Sequence, residues 1–402
     1  MFSRRHILLT AGATLAFAGT AVARAAPAPG ATGQLDKVLD EFFKEDLAES
    51  PELATSLGLD KGADAAAKSK LHHASMATVA RHKALTADQL RRLNAVDRKA
   101  LVGMPAVNYD SVHYDLKTTD TGNRRFDYGF EGAGGPYVVS QIPGAWQDVP
   151  DFLASQHTID TAADCEAYVA RLGEFARLMD EEVERVRHDV ALGVIPPDFC
   201  IAGALGGMKT LHAPADQSSL VTSLAERARA KGIAGDWAGR ATKVYEGEIL
   251  PALDRQIALM ESLQPKATQD AGVWKLPDGD AYYAQALQAQ TTTTMTPAEV
   301  HKLGLDVTRD LTARADVLFK KLGMSQGTVA ERYGALFKNP KYIYPNTDAG
   351  KAKEIADLNQ LVQAMQKRLP AYFGMLPRTP LEIRRIPAAT EAGASTHYTD
   401  GS

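Results

Sequence analysis

Between Thr161 and Gly193 the sequence admits one kind of element. Tyr168, Leu172, Phe175, Met179, Val183, Val186 and Val190 recur every three or four residues. That repeat lines one face of an α-helix, whereas in a strand it would scatter over both faces. Asp160 or Thr161 stands at the N-cap, and Gly193 with Pro196-Pro197 ends the helix. A helix of this length with one apolar side needs other helices against it.

The rest of the chain reads as mainly α. Leu35, Val38, Leu39, Phe42, Phe43 and Leu47 form one stripe. Ser50-Pro51 looks like an N-cap followed by a first-turn proline. A charged, alanine-rich stretch from Asp64 to Val102 continues in helical style, and Pro105 is expected to end it. From Met104 to Pro150 the composition turns to aromatics and glycine, typified by Phe126, Tyr128, Phe130 and Gly132 to Tyr137. This predicts an ordered loop region with at most a short strand. A helix from Asp236 to about Leu263 carries Val244, Tyr245, Ile249, Leu253, Ile257 and Met260 inward, with a kink at Pro251. Thr296-Pro297-Ala298-Glu299 is a capping box. It opens a helix whose stripe of Val300, Leu303, Val307, Leu311 and Leu318 is expected to face a core. Asp348 starts a further helix that stops before Pro370. Leu381 to Ile386 has the β-branched residues and flanking prolines of a strand. Residues 31–402 read as one large helical domain with no repeat period.

The first residues carry an address. Arg4 and Arg5 stand before a short apolar run, and Ala21 to Ala25 offers A-x-A cleavage sites, with Ala23 and Ala25 flanking Arg24. Residues 1–25 therefore read as a secretory signal of the twin-arginine type, handled by the export machinery and leading to a periplasmic or secreted protein. Without that signal's three arginines the formal charge goes from −4 to about −7. A mildly acidic surface speaks against nucleic acid as partner. No later stretch reads as a membrane anchor. The leader has no cysteine to carry a lipid. Cys165 and Cys200 are expected as buried free thiols, with a disulfide as the alternative.

Motifs that carry chemistry are sparse. None of the ten histidines begins H-E-x-x-H, the spacing that puts two zinc ligands and a base on one helix face. His72 and His73 are adjacent and point apart. Gly203 to Thr210 approaches the phosphate-binding G-x-x-x-x-G-K-[ST], but Met208 replaces the last glycine. The chain also lacks alternating strands and helices, so a glycine-rich helix start or a close helix crossing is the plainer reading. Gly393-Ala-Ser395 lacks the setting of a nucleophile elbow. Asp180, Glu181, Glu182 and Glu184 read as a solvated helix face. No catalytic or metal residue is assigned.

Several strings in order carry a resemblance. They are Gly134 to Trp146 (GGPYVVSQIPGAW), Asp280-Ala-Tyr282-Tyr283, Thr292 to His301, and Leu381 to Pro387 with Glu391-Ala392-Gly393-Ala394. Together they resemble the exported bacterial family catalogued as domain of unknown function 885, whose members are similar to zincin-type metallopeptidases. The resemblance implies a helical zincin-like scaffold around a peptide-binding cleft, with zinc held by an H-E-x-x-P-G-H-H helix beyond the segment matching Leu381 to Tyr398. That helix has no counterpart here, so no zinc or base role is carried over. His397 and Tyr398 are the residues of this segment expected to line the cleft. The chain then reads as the N-terminal scaffold and partial cleft of such a peptidase, inactive alone. Its fold is expected to be incomplete at the C-terminus, with an unfilled strand edge and a large exposed apolar patch. The alternative is a complete exported helical binding protein without catalysis.

Overall fold

The computed structural model describes residues 30–377 and 381–385, and among these the protein is mainly α. The leader residues Arg4, Arg5, Ala23 and Ala25, and also Ser395, His397 and Tyr398, lie outside the described residues. Contacts divide the chain into two compact units, one running to Met295 and one from Thr296.

The first unit holds eleven described helices. They are α1 (Ala31–Glu49), α2 (Pro51–Ser56), α3 (Met76–Asn94), α4 (Met104–Arg125), α5 (Ala145–Ser155), α6 (Ala162–Ala191), α7 (Asp198–Leu211), α8 (Ser219–Ala230), α9 (Trp237–Val244), α10 (Leu250–Leu263) and α11 (Gly279–Thr291). Helix α6 is the long helix of the apolar repeat. Thr161 caps it, accepting from the Asp164 N–H, and the Asp164 carboxylate returns the bond to the Thr161 N–H. Its stripe packs with α5 and with α7 to α10 into the main core, where Leu172, Phe175, Leu178 and Met179 are fully buried. A second cluster joins α1, α3 and α4 through Leu35, Phe42, Leu93, Tyr109 and Leu116.

Several expectations are corrected. Met104 to Arg125 is a helix, not part of a loop. Pro105 lies in its first turn, where a missing N–H costs nothing, so it starts a helix rather than ending one. Between residues 70 and 75 the chain is an irregular strap, not helix. The loop after α4 contains one antiparallel bridge, between Phe130 and Gly135. The irregularity expected at Pro251 takes the form of a local change of helix type. The turn Tyr245–Ile249 widens to π geometry just ahead of it, making room for the ring while the helical course continues.

The phosphate-loop look-alike lies inside helix α7. A Cβ on Gly207 would fall 2.2 Å from the Trp146 ring and one on Gly203 2.7 Å from Gln141. These glycines make room for α5 and the loop before it, which is the close crossing that the plainer reading allowed.

The second unit contains α12 (Pro297–Lys321), α13 (Val329–Leu336) and α14 (Asp348–Gln366). The capping box of Thr296 and Glu299 forms as expected. The stripe on α12 does not face a core: Leu303, Val307, Leu311 and Leu318 are exposed. Periodicity marks a face that favours cover without specifying a cover. Leu381 to Arg385 forms no strand. The Ile383 N–H donates to Asn359 Oδ1 at 2.9 Å and its carbonyl accepts from Asn359 Nδ2 at 2.8 Å. One side-chain amide thus satisfies the groups a neighbouring strand would have taken. Ile386 is outside the described residues.

Neighbouring glycines of α7 should behave oppositely. Gly206→Ala meets nothing within 4 Å and should stabilise by up to about 1 kcal/mol through helix propensity. Gly207→Ala should destabilise by about 1–3 kcal/mol by displacing Trp146. Urea unfolding of both variants checks this.

Candidate functional site

Beside its apolar stripe α6 carries a charged flank, and two irregular segments lie across it. The first is the strap from residue 70 to 75 with the end of the 3-10 turn (Gly62–Ser69) that leads into it. Arg171, 0% exposed, donates through Nε to the Lys70 carbonyl (3.0 Å) and through Nη2 to Thr55 Oγ1 (2.7 Å) and the Ala67 carbonyl (3.1 Å). Its Nη1 donates to His157 Nδ1 at 2.8 Å. The His157 Nε2 meets the Asp164 carbonyl, which only accepts, so the ring proton is on Nε2 and Nδ1 is free to accept. Burial pushes this imidazole down to about 3, and the cations Arg171, Lys68 and Arg227 act in the same direction, so it is neutral. Burial also lowers the Arg171 guanidinium to about 10. Arg177 donates to the Leu71 and His72 carbonyls, and Glu181 accepts from the Ala74 N–H. Glu52 of α2 accepts from both the backbone and the ring of His72. His72 and His73 do point apart, one toward Glu52 and the other toward Glu181.

The second segment is the loop of residues 126–145. The Glu182 carboxylate accepts from the Ala145 N–H (2.8 Å) and from Gln256 Nε2 (2.9 Å). Arg185 donates to the Gly129 carbonyl (2.8 Å), and Asp189 accepts from the Gly129 N–H (3.1 Å). His188 donates to the Asp127 carbonyl. Gly129 has φ +67°, and a Cβ there would lie 2.3 Å from the Gly135 carbonyl oxygen, so only glycine fits this turn. His82 of α3 sits between Glu49 (2.9 Å) and Glu131 (3.1 Å), and its bond to Glu131, despite some burial, raises it above the ordinary imidazole range.

The solvated-face reading of Glu181 and Glu182 is therefore corrected. Glu182 is 7% exposed, and burial raises it to about 7 against the hydrogen bonds it receives. Burial raises Asp189 to about 6 in the same way. The sequence signal is visible only afterwards, as ionisable residues at 177, 181, 185 and 188 that share one helix flank.

On its other side the loop builds an aromatic wall. Tyr128 stacks on Tyr282 of α11 (5.3 Å between ring centres), and Phe126 meets Tyr282 edge-on at 4.9 Å. The Tyr128 hydroxyl donates to the Pro277 carbonyl. Lys83, Asp127, Phe130, Glu131, Arg185 and Asp189 line a small depression beside the loop, with an enclosed volume of about 20 Å³. Its cations and carboxylates suit a polar, backbone-like group.

Among the described residues no group of three or more His, Cys, Asp or Glu side chains is arranged to hold a metal. His72, His73 and His82 already face carboxylates on separate helices. The described residues do not fit a zinc site. Cys165 and Cys200 are buried free thiols. No described helix is long and apolar enough to cross a membrane.

Comparison with known proteins places these features. The family described as "Bacterial protein of unknown function (DUF885)" matches residues 51–402. The chain belongs to that family. No curated protein matches it. A solved structure, "The crystal structure of the putative lipoprotein from Colwellia psychrerythraea", superposes with a TM-score of 0.81 at 20% sequence identity. The match covers 92% of this chain and 64% of that one, so this DUF885 chain shares the fold over about two thirds of the solved protein's length.

Two outcomes follow from the charged flank. Arg171→Met leaves two carbonyls, a hydroxyl and an imidazole nitrogen without their donor, and should cost at least about 3 kcal/mol in urea unfolding. Glu182 has a folded value near 7 against an ordinary 4.5, so its contribution is fully present below about pH 4.5 and is lost as pH rises through about 7. Glu182→Gln should therefore lose less stability than the parent between pH 5 and 8. Parallel unfolding midpoints over that range would contradict this.

Proposed function

We propose that the chain is the N-terminal scaffold and part of the cleft of an exported zinc metallopeptidase-like protein, and that by itself it does not hydrolyse peptides. The observation that carries this reading is a convergence. Two of the strings that carry the family resemblance, Gly134 to Trp146 and Asp280 to Tyr283, are far apart in sequence. Yet Tyr137 of the first lies in one apolar cluster with Ala281 and Tyr282 of the second, together with Phe126 and Tyr128. That cluster adjoins the mixed-charge depression through Phe126 and Tyr128, which line both. That is the wall a peptide substrate needs: donors for its carbonyls and acceptors for its N–H groups.

The zincin-like scaffold, the peptide substrate and the zinc belong to this proposal. So does export through the leader bearing Arg4, Arg5, Ala23 and Ala25, to the periplasm or beyond. The Colwellia relative is named as a lipoprotein, which fits an exported setting. The described residues supply the fixed parts of the site: α6 holds the loop, and Arg185 and Asp189 set the Gly129 turn. The metal would supply an activated water, and no step is assigned to it.

Purified chain incubated with zinc and a mixed peptide library is expected to give no zinc-dependent cleavage. Cleavage that requires zinc and stops with a chelator would refute the proposal.

A further inference from the structure

His82 of α3 stands where three elements meet. Its Nε2 lies 2.9 Å from Glu49 at the end of α1, and its Nδ1 lies 3.1 Å from Glu131 in the loop of residues 126–145. An ionised carboxylate only accepts, so both ring nitrogens must donate. A neutral imidazole has a single N–H, and the arrangement is complete only for the imidazolium. The two carboxylates are not equally held. Glu49 also receives Arg81 through Nε (3.2 Å) and Nη2 (2.6 Å). Among the described residues the Glu131 carboxylate has no hydrogen bond besides the one from His82. Glu131 begins the short 3-10 turn Glu131–Ala133, in which Gly132 and Ala133 lie at φ +66° and +61°. Alanine is crowded in that left-handed region, so the turn needs anchoring. Asn123 Oδ1 of α4 holds the Gly132 N–H at 2.8 Å, and His82 holds the residue before it.

We propose that His82 is a proton-operated tie: as an imidazolium it fastens the turn Glu131–Ala133, and with it one wall of the depression, to α1 and α3, and on losing a proton to solvent it lets that turn go. In the neutral ring one nitrogen presents a lone pair to a carboxylate. If that nitrogen is Nδ1, Glu131 is released directly. If it is Nε2, the lone pair faces Glu49, which Arg81 keeps in place, so the ring turns away and its bond to Glu131 is lost with it. Arg185 of α6 acts on Glu131 from beyond hydrogen-bond distance, and it is engaged with the Gly129 carbonyl. The other charges on the surrounding elements already have partners. Glu45 of α1 takes Arg92 at 2.6 Å. Lys83 of α3 meets Asp127 at 2.9 Å, with His188 of α6 on the same carboxylate. On α4, Asp120 pairs with Arg124 at 2.8 Å. The bond to Glu131, and then that to Glu49, raises the imidazole above its ordinary 6.5 although burial works against them. The tie therefore contributes fully below about pH 6.5 and is lost as pH rises through the higher folded value. It does not depend on what the depression binds.

Two measurements on the full chain test the tie. The first is the NMR titration of the His82 ring, its signal assigned by its loss in His82→Gln. The midpoint should lie above 6.5 in the parent and fall in Glu131→Gln. A parent midpoint at or below 6.5 would overturn the proposal. The second is hydrogen exchange at the N–H groups of Phe130, Gly132 and Gly134, corrected for intrinsic rates and compared at about pH 5 and about pH 9. In the parent their protection should fall at least about fivefold more than that of amides within α8. Glu182 and Asp189 also hold this loop and titrate in the same range, so the variants isolate His82. In His82→Gln, which cannot take up the proton, the fall should shrink by at least about threefold, leaving only the part due to the two acids. Glu131→Gln removes the same tie from its partly exposed end and gives the same comparison should His82→Gln not fold. An equal fall in parent and variant would overturn the proposal. Zinc-dependent peptide cleavage by this chain would sink the proposed function and leave these outcomes as they stand, so the two failures are distinguishable.

Discussion

Irregular backbone laid across a helix must have its N–H and carbonyl groups met, and in the first unit α6 supplies many of the side chains that meet them, with Glu52, Lys83 and Asn123 supplying others. Arg171 is the centre of this arrangement. It is fully buried with no carboxylate in hydrogen-bond contact, and its donors go to two carbonyls, a hydroxyl and a neutral imidazole. A guanidinium suits the task because its planar fork carries five donors and stays charged when desolvated. The Phe152 ring covers its face at 4.8 Å.

The same logic repeats along the helix with alternating sign. Arginines 171, 177 and 185 take carbonyls, while Glu181, Glu182 and Asp189 take N–H groups. Gly129 receives both kinds of bond from one helical turn. The loop's backbone groups at Asp127 and Gly129 are thus paired by side chains of α6 rather than by a neighbouring strand. The cost appears in Glu182 and Asp189, which burial pushes up to about 7 and about 6, whereas the bonds from His73, Ala74 and Arg177 hold Glu181 below the ordinary carboxylate value despite its burial. The candidate cleft takes its wall from this arrangement, with Phe126, Tyr128 and Phe130 as its aromatic lining.

Much of the architecture was legible in the residues. The stripe from Tyr168 to Val186 is buried as its spacing requires, and the caps at Thr161 and Thr296 form. Helix α4 was not legible, because Pro105 and the later aromatic run drew attention from a stretch that starts helical at that very proline. Glu182 was not legible either. Carboxylates in a row look solvated until a segment lying across them is known. The strand at Leu381 failed for a similar reason: β-branched residues favour extended backbone, but Asn359 took the pairing groups of Ile383.

Sequence alone determined the helical class, the caps and the membership of a family, since each of these is written in local spacing or in ordered strings. Tertiary structure decided which charges are buried, which loop each one holds, and that Tyr128 meets Tyr282. The physical reason is that helix periodicity is a property of neighbours along the chain. The burial of a charge depends instead on which distant backbone comes to lie over it, and whether that backbone offers a donor or an acceptor.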